Sequence, residues 1–260
     1  MIGSIFNWLR GETDQKLLPD ALWQEILAQL PFLGRLRPEE ASRLRQLTEA
    51  FLTEKEFTGA GGLELTDPIC VSIAVQACLP ILNLGLENYR DWVGIVVYPD
   101  EFVIPRTIED EFGVVHEYTE IAAGEAWSDG PVLISWQDAA MAVEGYNVVI
   151  HEFAHKLDML NGEADGIPPL HSGLSHEKWE KALKSAYEDF CACVDHAEAN
   201  DLEPLFDPYA AESPGEFFAV MSEVFFETPA LLRDEYPNFY KQLKLFYRQD
   251  PAADWERTPE

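Results

Sequence analysis

Apolar residues in the first third of the chain recur three and four positions apart. ALWQEILAQL (21–30), with Asp20 placed to cap it, and EEASRLRQLTEAFLTEKEF (39–57), entered through Pro38, both predict helices. A third helix opens at Asp67 and Pro68 and runs into ICVSIAVQACLPILNLG (69–85), apolar on nearly every side. From Trp92 the rhythm changes. WVGIVVYP (92–99), FVIP (102–105), FGVVHEYTEI (112–121) and PVLISW (131–136) are rich in β-branched and aromatic residues and are separated by Gly, Pro and Asp, which predicts strands. Helical spacing returns after Trp136. It predicts a helix over 137–144, one capped by Asn147, one from about Ser175 to Ala197, one entered at Pro214 and one after Pro229. DPAADWERTPE closes the chain as a loose tail. The order of elements predicts an α+β fold: a helical N-terminal region over 1–88, a domain of small mixed sheet and helices over 89–250, and a flexible tail over 251–260.

Charge narrows the function. Of the 260 residues, 47 are Asp or Glu and 18 are Lys or Arg, a net charge of −29. Such a surface repels phosphate backbones and excludes direct nucleic-acid binding. The 69–85 run is broken by Ser72, Gln76 and Pro80, so it reads as a buried helix and not as a membrane span. MIGSIFNWLRGE lacks the basic flank and apolar core of a signal peptide. Cys70, Cys78, Cys191 and Cys193 form no CxxC pair and read as reduced thiols. Together these predict a cytoplasmic protein with no membrane partner.

The chemistry concentrates in VVIHEFAHKLDML (148–160). His151 and His155 stand four apart, about 40° around a helix axis and one turn along it, so both imidazoles can reach one ion. Glu152 projects near the same ion without having to bind it. It is placed to take a proton from a water activated by the metal and to return it to a leaving amine. The flanking apolar residues bury the helix, and buried histidines and carboxylates need partners. A catalytic zinc usually takes three protein ligands. The places that hold a glycine and a third histidine in the metzincin pattern hold Asp158 and Asn161 here, which excludes that class. Glu216 opens PGEFFAVMSEVFFETP (214–229), a strongly apolar helix, and its face continues through Ala219, Val220 and Glu223. It is either the third ligand or an acid that satisfies the helix N-terminus.

HEFAHKLDMLNGEADGIPPL (151–170) and PYAAESPGEFFAVMSEVFF (208–226) closely resemble the Mlc titration factor A family of bacterial zinc peptidases. The second segment also resembles the catalytic domain of anthrax lethal factor, in which a tyrosine stands seven residues before the glutamate ligand, the spacing of Tyr209 to Glu216 here. The resemblance is clearest over 92–247. It implies a zincin-like metallopeptidase domain over 89–250 with one Zn²⁺ per chain, held by His151, His155 and Glu216. It implies Glu152 as general base and Tyr209 as donor to the oxyanion. It further implies a peptide substrate and, as partner, the glucose-responsive repressor Mlc, whose capture relieves repression of sugar phosphotransferase genes. Where lethal factor carries a second glutamate this chain has Val220, so a supporting acid has to come from elsewhere. Glu223 and Asp158 are the candidates.

Three features complete the reading. VLISW (132–136) is either an edge strand able to pair with a peptide or an interior strand. His116, His171, His176 and His196 have no ligand-like spacing to the site. The competing function is a regulatory binding factor whose zinc is structural. Structural zinc normally takes four protein ligands, and only three stand out here.

Overall fold

The computed structural model describes residues 18–109, 115–141 and 145–255. The stretch read for a signal peptide, part of the helix expected over 137–144 and the last five residues of the tail lie outside them. The fold is α+β. Helices α1 (Asp20–Gln29), α2 (Pro38–Glu54) and α3 (Asp67–Cys78) form the N-terminal part. Glu40 reaches back to the Arg37 N–H at 3.1 Å and, with Pro38 in the first turn, starts α2. The helix stops at Glu54, short of the expected end, and the next residues form strand β1 (Glu56–Gly59). The helical spacing of 39–57 therefore ran across a real boundary, because β1 is too short to show a period of its own. Helix α3 is buried almost throughout. No helix among the described residues is long and apolar enough to cross a membrane.

The sheet contains β1, β2 (Gly94–Tyr98), β6 (Val132–Ser135) and β5 (Gly124–Ala126), in the order β1-β2-β6-β5. The first three run parallel and β5 is antiparallel to β6. Ile95 pairs with Val132 and Val97 with Ile134, and all four are fully buried, so the register puts one apolar face on the core. Strand β6 is interior, which decides between the two readings of VLISW. The edges belong to β1 and, beside β6, to β5, three residues the sequence did not mark as a strand. Strands β3 (Phe102–Glu109) and β4 (Val115–Ala122) pair as a separate antiparallel hairpin.

The C-terminal half is helical: α4 (Trp136–Ala139), α5 (Val148–Asp158), α6 (His176–Ala199), α7 (Pro214–Glu227), α8 (Pro229–Glu235), α9 (Pro237–Tyr247) and α10 (Pro251–Trp255). Helix α4 ends at Ala139, where a longer helix was expected. The first half of the expected loose tail is α10, with Ala252 buried and its N–H donated to the Tyr240 hydroxyl at 3.0 Å. One hydrophobic cluster runs from Leu18 to Ala252. Inside it Phe51 of α2, Tyr89, Trp92 and Phe153 of α5 pack edge-to-face or tilted at ring separations of 5.2–6.4 Å, which ties the N-terminal helices to α5. Helix α7 packs Phe217, Phe218, Phe225 and Phe226 into the core.

Candidate metal centre

Helix α5 begins where the sequence placed it. The Asn147 Oδ1 accepts the Ile150 N–H at 2.9 Å, a side-chain cap that fixes the first turn. Val149, Ile150, Phe153 and Ala154 are fully buried on one side. The opposite side carries His151 and His155, whose rings lie 4.8 Å apart and face a cleft. Glu216 arrives from the first turn of α7. The cap of α7 is Ser213, whose Oγ accepts the Glu216 N–H at 3.1 Å. The Glu216 carboxylate is thereby left to turn away from its own helix end. Its Oε2 lies 3.0 Å from His151 Nε2 and 3.1 Å from His155 Nε2, and the two Nε2 atoms are 3.1 Å apart.

These separations fit a common ion. Ligands on a tetrahedral Zn²⁺ at about 2.0–2.1 Å stand about 3.3 Å from one another. Two imidazole nitrogens and a carboxylate oxygen at nearly that spacing form the donor set that zinc accepts. Tautomer chemistry points the same way. Glu223 lies two turns further along α7 and is buried, and its Oε1 sits 2.8 Å from His151 Nδ1. A carboxylate there holds the proton on Nδ1 and leaves the Nε2 lone pair for a cation. The other Glu223 oxygen accepts the Asn147 N–H, so the same side chain links α7 to the cap of α5. Asp158, the second candidate for a supporting acid, feels the charge of His155, and its Oδ2 accepts the Gly166 N–H at 2.7 Å and braces the loop after α5. The His155 Nδ1 is buried and has no hydrogen-bond partner among the described residues.

Glu152 is buried at the cleft wall. Burial pushes its carboxyl up to about 7; the nearby histidines pull it down, and Glu216 and Glu223 push it further up. Strand β5 makes room for it. A Cβ on Gly124 would run into Glu152 Oε1 and lie 2.7 Å from its Cγ, so any side chain there would displace Glu152. Tyr209 sits on the short turn Pro208–Ala211, where its N–H is accepted by Asp207 Oδ1 at 2.9 Å. Its ring centre is 6.0 Å from that of His151, and burial with the Glu216 charge raises its phenol above the usual value.

The cleft holds about 490 Å³ and brings together all five predicted residues: His151, Glu152, His155, Tyr209 and Glu216. His171, His176 and His196 do not line it; His171 contacts the Leu245 and Phe246 carbonyls. Sequence reasoning missed Tyr146 and the β5 wall, Gly124 to Ala126. The one available signal was the glycine interrupting AAGEAW, a mark of close backbone approach.

Nitrogen and oxygen donors from two packed helices, aimed at one point in a cleft, form a donor set able to hold a metal ion, and a metal-centre protein is the class the cleft defines. Comparison with known sequences narrows it. The chain belongs to the family described as glucose-regulated metallo-peptidase M90, whose profile matches residues 5–248. It is 39% identical to the Mlc titration factor A of Salmonella arizonae over 250 residues, 94% of this chain and 96% of the relative. The proteins of the same name from Serratia proteamaculans and Klebsiella pneumoniae are 38% and 36% identical over 240 and 252 residues, covering 91% and 95% of this chain and 90% and 93% of theirs.

Proposed function

We propose that the protein is a single-zinc peptidase in which His151, His155 and Glu216 hold the ion and Glu152 is the general base. The observation that carries the reading is the convergence of three ligand atoms beside a buried carboxylate. When bound, zinc lowers the pKa of a water and polarises a carbonyl. The remaining work falls to the chain. Glu152 accepts the proton of the attacking water as the scissile carbonyl becomes tetrahedral, and then delivers it to the departing amine. Tyr209 keeps its phenol protonated and donates to the oxyanion as charge develops there. The free edge of β5 borders the cleft and offers backbone groups to an extended peptide.

The name shared by the relatives supports a second role, capture of the Mlc repressor in the cytoplasm, alongside hydrolysis or in place of it. The Glu152→Gln variant separates the two. It is expected to bind one zinc per chain, to lose about 10²–10⁴-fold in peptide hydrolysis, and to bind Mlc as the wild type does. Hydrolysis persisting in that variant would remove the general-base assignment. A wild type that cleaves no peptide yet binds Mlc tightly would leave the regulatory reading alone.

A further inference from the structure

Lys156 follows the second histidine on α5 and is 2% exposed. Its Nζ donates to the carbonyls of Trp127, Ser128 and Gly130 at 2.6, 3.1 and 3.1 Å. An ammonium has three protons, and here three acceptors meet them. The Trp92 ring lies 4.8 Å away, an apolar wall that keeps the head group in place. The three carbonyls belong to the turn that joins β5 to β6, closed by the Trp127 N–H to the Pro131 carbonyl at 3.2 Å and the Gly130 N–H to the Trp127 carbonyl at 3.2 Å. Lys156 therefore fixes the end of β5, the strand whose outer edge borders the cleft.

The other end of β5 is set by Gly124 against Glu152. Glu152 and Lys156 are four residues apart and share one face of α5, next to the face that carries the histidines. The strand is thus held to the active helix at two points: a steric stop under Glu152 and a polar clamp at Lys156. We propose that Lys156 is a positioning residue, which holds β5 at the height where a peptide laid along its free edge brings a carbonyl to the His151, His155 and Glu216 cluster. The role rests on the hydrolytic reading above. It also predicts that loss of the clamp is felt by substrates long enough to pair with the strand and not by those confined to the metal end.

The test uses zinc-loaded full-length protein carrying Lys156→Met, which keeps the apolar stem and removes the donor. Gly130→Ala is the second variant. Its Cβ would meet the Trp127 Cβ at 2.9 Å and shift the turn without touching α5. Each is assayed on a fluorogenic peptide of several residues and on a single-residue chromogenic amide. Hydrogen exchange is followed over 124–130. The expected result is KM raised about tenfold for the peptide, kcat and zinc affinity within about twofold, and little change for the amide. Exchange over 124–130 should quicken about tenfold while α5 stays protected. Equal losses on both substrates, or an unchanged peptide KM, would overturn the role. If the wild type cleaves neither substrate, the hydrolytic reading fails by itself. Exchange then judges the clamp: unchanged protection over 124–130 overturns it, and faster exchange upholds it. If Lys156→Met does not fold, Gly130→Ala carries the same comparison.

Discussion

Glu223 serves two donors at once, and replacing it by glutamine asks one amide to do the work of a carboxylate. One oxygen receives the His151 Nδ1 proton at 2.8 Å and the other receives the Asn147 N–H at the cap of α5. A glutamine has one oxygen and one NH₂. If the oxygen faces His151, the NH₂ meets the Asn147 N–H, and two donors oppose each other in a buried site. If the amide turns over, its NH₂ faces His151 Nδ1, and the imidazole has to move its proton to Nε2, where the ligand lone pair is needed. The first arrangement costs stability, about 1–3 kcal/mol for a buried donor left without an acceptor. The second costs metal affinity, about 10- to 100-fold for a lost carboxylate partner of a ligand histidine. Volume hardly changes, so no cavity term enters. Zinc affinity by competition with a chromogenic chelator and the unfolding midpoint of the metal-free protein are measured together. At least one must fall by the stated amount. Zinc affinity within about threefold of wild type, together with an unchanged midpoint, would refute the claim that Glu223 holds His151 and the α5 cap in one arrangement.

Gly124→Ala should fold and bind zinc but lose about 10²-fold in kcat, because the new Cβ drives Glu152 off its position; steady-state kinetics with metal analysis decide it, and unaltered kcat would place Glu152 elsewhere. Tyr209→Phe should lower kcat by about 10²-fold with zinc content unchanged, since only a developing charge calls on the phenol; a rise in KM alone would make Tyr209 a binding group. Glu227 gives a pH dependence. Burial lifts its carboxyl to about 7, although Asn147 Nδ2 and the Gly145 N–H donate to it at 2.8 and 3.1 Å and Arg35 favours its charge; Glu223 opposes it. Its folded pKa lies above the unfolded value, so the native state holds the extra proton between about pH 4.5 and 7 and loses stability as pH rises through that window, by at most about 3 kcal/mol. Glu227→Gln abolishes this loss, and its melting temperature relative to wild type should rise from pH 5 to pH 8; a constant difference would show that the group does not titrate there.

Much of this was legible in the sequence because the strongest signals were local. The i, i+4 histidines and the Asn147 cap lie within one helix, and helical geometry alone sets their relation. Glu216 was legible as an acid on an apolar helix face; that Ser213 caps α7 while the Glu216 carboxylate faces the two histidines was not, because both facts depend on how α7 meets α5. Strand β5 has three residues, too few for a period. It exists because β6 pairs with it and α5 packs over it, and neither contact is written in Gly124 to Ala126. The end of α2 was misplaced for a similar reason: Lys55 to Phe57 continue an apolar spacing that fits a helix as well as the entry to β1. Lys156 drew no notice in the sequence, because its acceptors are backbone carbonyls some thirty residues earlier and carbonyls leave no mark on sequence.

The side chain of Gln76 extends the consequences of the α5 cap into the N-terminal helices. It rises from α3, and its Oε1 accepts from Asn147 Nδ2 at 2.7 Å, the same amide that serves Glu227. Three segments that are distant along the chain thereby share one amide group. None of the three residues can drift alone over generations without stranding a polar atom in the interior, so they are bound to change as a set or to stay. A hybrid that joins the first helices of one relative to the C-terminal half of another will tolerate the seam only where position 76 still offers an oxygen.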